Sequence, residues 1–89
     1  MVEVTATIVN PSGLHARPAA EFVKAAAGYQ GTTIKVIKDG REAEAKSILA
    51  IMALGIRQGH TVRLRAEGPQ EREAVEMLAR LLASGFGEV

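Results

Sequence analysis

The chain of 89 residues contains no cysteine, which excludes disulfide bonds, thiolate chemistry and cysteine-ligated metal sites. Its two histidines, His15 and His60, lie far apart with no ligand spacing around them, so we expect neither a metal nor a cofactor. Aromatic residues are also scarce, being limited to Phe22, Tyr29 and Phe86. Alanine, valine, isoleucine and leucine must therefore fill the core.

Neither sign of charge dominates, because 11 basic and 10 acidic residues leave a net charge of +1. That balance argues against a nucleic-acid partner, which requires an extensive basic surface. Long hydrophobic runs are missing too, since residues 48–54 form the longest and are far too few to span a bilayer. No signal-peptide pattern opens the sequence, and we expect a cytoplasmic protein without a membrane partner.

The length of the chain suits one domain, and a 47% hydrophobic content is sufficient for a real core. We therefore expect residues 1–89 to form a single domain, and we expect a monomer.

Two apolar periodicities divide the sequence into strands and helices. Alternating apolar and polar residues predict four strands, at 2–8, 33–37, 41–45 and 60–67. Apolar residues three or four positions apart predict three helices, at about 16–27, 48–54 and 70–83. The face of the first helix expected to be buried holds Ala19, Phe22, Val23, Ala26 and Ala27. Asp39-Gly40 is a strong signal for a two-residue hairpin turn.

The resulting order, β-α-β-β-α-β-α, predicts an α+β fold. Because each strand has one apolar side, an antiparallel sheet with helices on one face is the simplest arrangement. This is an open-faced sandwich. We also expect the strands before and after each long helix to be neighbours in the sheet.

His15 and Arg17 lie where a loop is predicted to become a helix. A helix N-terminus carries unpaired N–H donors and a partial positive charge, and so favours anions. The same field favours an uncharged imidazole, whose free ring nitrogen is nucleophilic. Arg17 adds planar, permanently charged donors that suit phosphate oxygens. The segment therefore indicates a histidine that accepts and passes on a phosphoryl group.

A plainer interpretation of this segment stays open, because a histidine near a helix start is more often a surface or capping residue. Pro18 suits a first helical turn. Because a residue that precedes proline avoids the helical region, Pro18 favours Arg17 as the cap, whereas the helical periodicity begins at about Ala16; in either case His15 lies within a residue or two of the free N–H groups.

Two segments together resemble a known family. Residues 13–19, Gly-Leu-His-Ala-Arg-Pro-Ala, closely resemble the active-site segment of the phosphocarrier HPr family of the sugar phosphotransferase system. Residues 45–56, Ala-Lys-Ser-Ile-Leu-Ala-Ile-Met-Ala-Leu-Gly-Ile, resemble that family's regulatory-serine segment. The element order, the length and the ending Phe-Gly-Glu at 86–88 also fit, so the resemblance covers essentially the whole chain.

The resemblance implies a four-stranded antiparallel sheet covered on one face by three helices. It implies that His15 accepts a phosphoryl group on Nδ1 from phosphoenolpyruvate-charged enzyme I and hands it to a IIA domain. The protein would be a stoichiometric carrier rather than an enzyme, with Arg17 and the backbone at Ala16 holding the phosphoryl oxygens. Ser12 could offer its hydroxyl or N–H there, although a role as a loop cap is as well founded.

Ser47 is predicted to cap the second helix. The resemblance adds that the matching serine is phosphorylated in some members by an HPr kinase/phosphorylase, with a catabolite regulator as a further partner. The added charge is tolerated at a helix N-terminus and would act on docking.

The second helix is too apolar for all its residues to face inward, so some should form an exposed docking patch beside His15. We expect Ile51 and Leu54 to be buried. By helical spacing and by resemblance, the docking residues are predicted to be Ala20, Val23, Lys24, Ile48, Leu49 and Met52.

Three alternatives remain beside the sugar-system carrier. A carrier of the nitrogen-related branch would use the same histidine with regulatory partners. A binding module acting only through phosphorylated Ser47 is disfavoured, because such relatives lack the histidine. An RNA-binding domain would need exposed stacking aromatics, which the strands do not contain.

Overall fold

The structure is a computed structural model and describes residues 1–88. Its elements are β1 (Val2–Thr7), α1 (Ala16–Ala27), β2 (Thr33–Lys38), β3 (Arg41–Glu44), α2 (Ile48–Ala53), β4 (Thr61–Glu67) and α3 (Glu71–Ala83). The predicted β-α-β-β-α-β-α order and the open-faced α+β class are confirmed. A short 3-10 turn at Gly85–Gly87, which the sequence did not indicate, follows α3.

The sheet is antiparallel throughout and has the order β1-β4-β2-β3. The expectation that strands flanking a long helix are neighbours is wrong for α1, because β4 lies between β1 and β2. A helical crossover returns the chain in the same direction, so β1 and β2 run parallel to each other. Only a strand of opposite direction can pair antiparallel with both, and β4 does so: Ala66 is opposite Val2 on one side and Ile34 on the other.

The core lies between the sheet and the three helices. Its fully buried side chains include Phe22 from α1, Ile51 from α2, Leu64 from β4 and Leu78 from α3. The other face of the sheet carries charged pairs, such as Arg65 with Glu3 at 2.9 Å. One face is therefore packed and one solvated, as the alternating strands predicted.

Short sequence signals determine two of the local structures that connect the elements. Asp39 and Gly40 have φ values of 51° and 78°, both positive, as a type I′ hairpin requires. Ser47 caps α2, since its Oγ accepts a hydrogen bond from the Ala50 amide at 3.2 Å. The predictions for this turn and this cap are confirmed.

The start of α1 at Ala16 is confirmed, and the alternative of Arg17 as the cap is excluded. Arg17 is helical and His15 is the N-cap, because the His15 carbonyl accepts the first helical hydrogen bond from the Ala19 amide at 2.8 Å. That bond outweighs the preference of a pre-proline residue for extended backbone. Ala27 is exposed rather than buried, because at about 100° per residue it lies well to one side of the buried face, which is formed by Pro18, Ala19, Phe22 and Ala26. Val23 is half-buried.

No helix within residues 1–88 is both long and apolar enough to cross a membrane.

Candidate functional site

The loop that carries His15 is held by Asn10, whose side chain is fully buried. Its Nδ2 donates to the Gly13 carbonyl at 2.7 Å, and the Gly13 amide donates to the Asn10 carbonyl at 3.1 Å. A side-chain amide that bonds backbone three residues ahead closes a compact turn. Asn10 is not among the site residues predicted from the sequence, and the structure shows it as the anchor of the loop.

Gly13 brings this loop against the loop that follows α2. Its φ is 61°, and a Cβ at this position would lie 2.5 Å from the Ile56 carbonyl oxygen and 2.7 Å from the Arg57 Cα. The Leu14 amide donates to the same Ile56 carbonyl at 3.1 Å. Only glycine allows so close an approach, which fixes the start of α1 relative to residues 55–58.

His15 stands at the N-terminus of α1 with its side chain exposed and without a capping hydrogen bond. Within residues 1–88, the amides of Ala16 and Arg17 have no hydrogen-bond acceptor, and Pro18 has no amide hydrogen. The imidazole therefore lies next to two free backbone donors. This is the juxtaposition that the sequence predicted, with Ala16 exposed beside it.

A concavity of about 550 Å³ opens beside the imidazole. It is lined by Pro11, Ser12, Leu14 and His15 from the first loop, Met52 from α2, and residues 55–58. Of the predicted docking residues, Met52 alone lines this concavity. Arg57 and Gln58 were missed by the sequence analysis, because they lie 42 and 43 positions after His15 and no motif ties the two segments together.

The donors of Ser12 are already engaged by a carboxylate. Glu88 accepts hydrogen bonds from the Ser12 amide at 3.0 Å and from the Ser12 hydroxyl at 2.7 Å. Asn10 Nδ2 lies 3.5 Å from the same carboxylate. These hydrogen bonds, with the nearby Arg17 charge as a smaller contribution, lower the pKa of Glu88.

The positive charge of Arg17 also lies near carboxylates. Its guanidinium lies 3.5 Å from Glu21 and 3.6 Å from Glu88, while 67% of its side-chain surface stays exposed. The groups predicted to hold phosphate, Ser12 and Arg17, thus meet at one carboxylate. The role of Glu88 could not be predicted from the sequence, since its contact with Ser12 spans 76 positions.

The C-terminal turn places Glu88 there. Gly85, Phe86 and Gly87 all have positive φ, and Phe86, at φ 54°, is a non-glycine residue in a strained region. The Phe86 side chain is buried, and that packing secures the turn.

The predicted docking residues divide into two groups. Leu49 is 79% exposed, and Ile48 and Met52 are 37% and 38% exposed, so α2 presents an apolar surface. On α1, Ala20 and Lys24 are exposed and Val23 is half-buried. Burial of Ile51 and Leu54 is confirmed. Ser47 is half-buried at the start of α2 and does not line the concavity.

Residues 1–88 hold no cluster of three or more histidine, aspartate and glutamate side chains that could bind a metal.

Comparison with known proteins now identifies the family. The family model described as "PTS HPr component phosphorylation site" matches residues 2–84. The chain therefore belongs to the HPr family of phosphocarrier proteins of the phosphotransferase system.

Relatives and solved structures agree with this membership. The phosphocarrier protein HPr of Cupriavidus necator is 40% identical over 88 residues, which cover 99% of this chain and 98% of that one. The phosphocarrier protein NPr of Escherichia coli is 37% identical over 87 residues, which cover 98% and 97%. A crystal structure of HPr-C-His from Thermoanaerobacter tengcongensis superposes with a TM-score of 0.95 at 50% identity, covering 100% and 99% of the two chains.

Proposed function

We propose that this phosphocarrier accepts a phosphoryl group on His15 from the phosphohistidine of enzyme I and passes it to a histidine of a IIA domain, in the cytoplasm. The observation that carries the proposal is the exposed imidazole at the α1 N-terminus, beside the free amides of Ala16 and Arg17. Phosphoryl transfer depends mainly on positioning and on electrostatic stabilisation. A small domain can therefore supply half of the reaction site and the partner the other half.

In each transfer, one phosphorus–nitrogen bond forms and one breaks. The lone pair of His15 Nδ1 attacks phosphorus, and the bond to the donor histidine breaks with its electron pair returning to the donor ring. In the second transfer a nitrogen of the IIA histidine attacks phosphorus, and the bond to His15 Nδ1 breaks with its electron pair returning to the His15 ring. Each chain carries one phosphoryl group at a time on this histidine, so the protein acts stoichiometrically.

Arg17 and Ser12 support the phosphorylated state by exchanging partners. At rest they contact the Glu88 carboxylate. A phosphoryl group on His15 offers oxygens of higher charge to the same donors, so Glu88 and the phosphoryl group compete for them. This competition moderates the stability of phosphohistidine, and a carrier requires such moderation in order to release its group.

The sugar branch is our first assignment, and a nitrogen-branch carrier is the alternative. Relatives named HPr and NPr have similar identity to this chain, at 40% and 37%. Incubating the phosphorylated protein with a sugar-specific IIA domain and with a nitrogen-branch IIA domain discriminates the two. Transfer to the sugar-specific domain is expected to be the faster.

Ser47 is the proposed site of regulation by an HPr kinase/phosphorylase, with a catabolite regulator as reader. A phosphoryl group there adds about −1.5 to −2 charge at neutral pH. It would be placed next to the exposed side chains of Ile48, Leu49 and Met52. Docking of enzyme I on this apolar surface would remove water from the phosphoryl charge, which costs free energy. Phosphorylation would therefore weaken the docking of enzyme I.

The test of the proposal uses the fact that the chain has two histidines. Labelled phosphoenolpyruvate and enzyme I should transfer one phosphoryl group to the wild-type protein and to His60→Ala, and none to His15→Ala. Circular dichroism should show that both variants stay folded. Undiminished labelling of His15→Ala would contradict the proposal.

A further inference from the structure

Arg57 lines the same concavity as His15 and has no role in the site described so far. Its main chain is fixed on both sides, because its amide donates to His60 Nδ1 at 3.0 Å and its carbonyl accepts from the His60 amide at 3.0 Å. Gln58 adds a hydrogen bond to the Val9 carbonyl at 3.0 Å. The loop that presents the Arg57 side chain is thus held in place.

This loop brings Arg57 near the reacting histidine. A Cβ on Gly13 would lie 2.7 Å from the Arg57 Cα, and Gly13 precedes His15 by two residues. Since two residues of extended chain span at most about 7 Å, the Cα atoms of Arg57 and His15 are within about 12 Å. Both residues line one concavity, and an arginine side chain is long enough to bring its guanidinium to a group bound there beside His15.

Arg57 also differs from Arg17 in charge compensation. Arg17 lies near both Glu21 and Glu88. The ion pairs formed within residues 1–88 do not include Arg57, whose side chain is exposed. Among the described residues that line the concavity, Arg57 therefore carries a positive charge that is not neutralised by an ion pair with a carboxylate.

We infer that Arg57 is a further phosphoryl-binding residue, whose guanidinium contacts the oxygens of the phosphoryl group as it is transferred to or from His15. A planar guanidinium suits such oxygens, and one without an ion-pair partner has no internal anion to give up first. Arg57 engages the incoming group while Arg17 and Ser12 are still bound to Glu88. The inference rests on the proposed role of His15.

A small phosphoryl donor tests this contact without any partner protein. Potassium phosphoramidate transfers its phosphoryl group to histidine as its own phosphorus–nitrogen bond breaks and ammonia leaves. The rate of phosphohistidine formation is followed by ³¹P NMR for wild type, Arg57→Ala, Arg57→Lys and Arg72→Ala. Arg72 is the matched control, since it is an exposed arginine in the first turn of α3, about 17 Å along that helix from its C-terminal end near Glu88.

Arg57→Ala should form phosphohistidine about fivefold more slowly than wild type, the size of one exposed charge-assisted contact. Arg57→Lys should retain part of the rate, because it keeps the charge without the planar donors. Arg72→Ala should match wild type. The deficit of Arg57→Ala should shrink in 1 M salt, where the Debye length is about 3 Å. The substitution leaves the backbone amide bonded to His60 in place.

Equal rates for Arg57→Ala and Arg72→Ala would overturn the inference while leaving the role of His15 intact. So would a deficit seen with enzyme I as donor but absent with phosphoramidate, because Arg57 would then act on the partner. A wild-type protein that gains no phosphoryl group on His15 would contradict the proposed function and this inference together.

Discussion

Glu88 shows how one residue can set the resting state of the site. Its carboxylate is bound by the amide and hydroxyl of Ser12, and these bonds lower its pKa. A carboxyl whose pKa is lower in the folded than in the unfolded chain stabilises the fold above its unfolded pKa. That stabilisation is lost as the pH falls through the folded value.

The first prediction concerns this titration. The Ser12 amide resonance should shift on acidification with a midpoint below 4.5, the usual value for glutamate. In Glu88→Gln the shift should disappear. The free energy of unfolding should fall with decreasing pH in this range more steeply for wild type than for Glu88→Gln. A midpoint at or above 4.5 would contradict the contact.

Gly13 gives a second prediction at the same scale. Gly13→Ala introduces left-handed strain of about 1–2 kcal/mol and a clash with the backbone of residues 56 and 57 that adds about 1–3 kcal/mol. Gly31→Ala is the control, since Gly31 has a φ of +81° but no atom near its would-be Cβ. Urea denaturation should show the larger loss for Gly13→Ala, and His15 labelling should be slowed in that variant only. Equal losses would show that the two loops are free to separate.

At the scale of elements, two substitutions of Ser47 at the start of α2 distinguish an effect on stability from an effect on docking. Ser47→Ala removes the hydrogen bond to the Ala50 amide and should lower the free energy of unfolding by about 1 kcal/mol. Ser47→Asp keeps an acceptor at the N-cap and should be close to wild type in stability. It should nevertheless bind enzyme I more weakly in calorimetry, because it adds charge beside the exposed apolar surface. Equal affinity of Ser47→Asp and wild type would argue against regulation at this position.

The elements that could be predicted from sequence are those determined by nearby residues. The Asp39-Gly40 turn and the Ser47 cap follow from two to four consecutive positions. The cap of α1 stayed open between His15 and Arg17, because the preference imposed by Pro18 conflicts with the helical periodicity and only the fold shows the hydrogen bond from the Ala19 amide to the His15 carbonyl. The turn around Phe86 was missed, since its positive φ depends on burial that a short sequence window does not show.

At the scale of the whole molecule, the order of the strands could not be predicted from the sequence pattern, because the alternation within a strand shows only which of its sides is apolar. The site was half predictable for the same reason. His15 and Arg17 are close in sequence and could be paired with each other. Glu88 and Arg57 reach the site through the folding of distant segments, and no local signal marks them.

The inner position of β4, between β1 and β2, predicts how substitutions in this strand change the stability of the fold. Leu64 is fully buried in β4, opposite Val4 of β1 and Val36 of β2. Leu64→Ala should lower the free energy of unfolding by about 2–5 kcal/mol, and the loss should appear as one cooperative transition. Arg63→Ala, on the solvated face of the same strand, removes an exposed pair with Glu3 and should change stability by about 1 kcal/mol or less. Similar losses for the two variants, measured by urea denaturation, would contradict the assignment of faces.

Because β4, one of the two inner strands, is also the last strand in the chain, the complete sheet cannot form until β4 has been synthesised. Until residues 61–67 emerge from the ribosome, β1 has no partner and β2 can pair only with β3. The nascent chain can therefore build a hairpin and transient helices but no sheet that joins its two halves. The complete sheet therefore forms only after residues 1–67 have been translated.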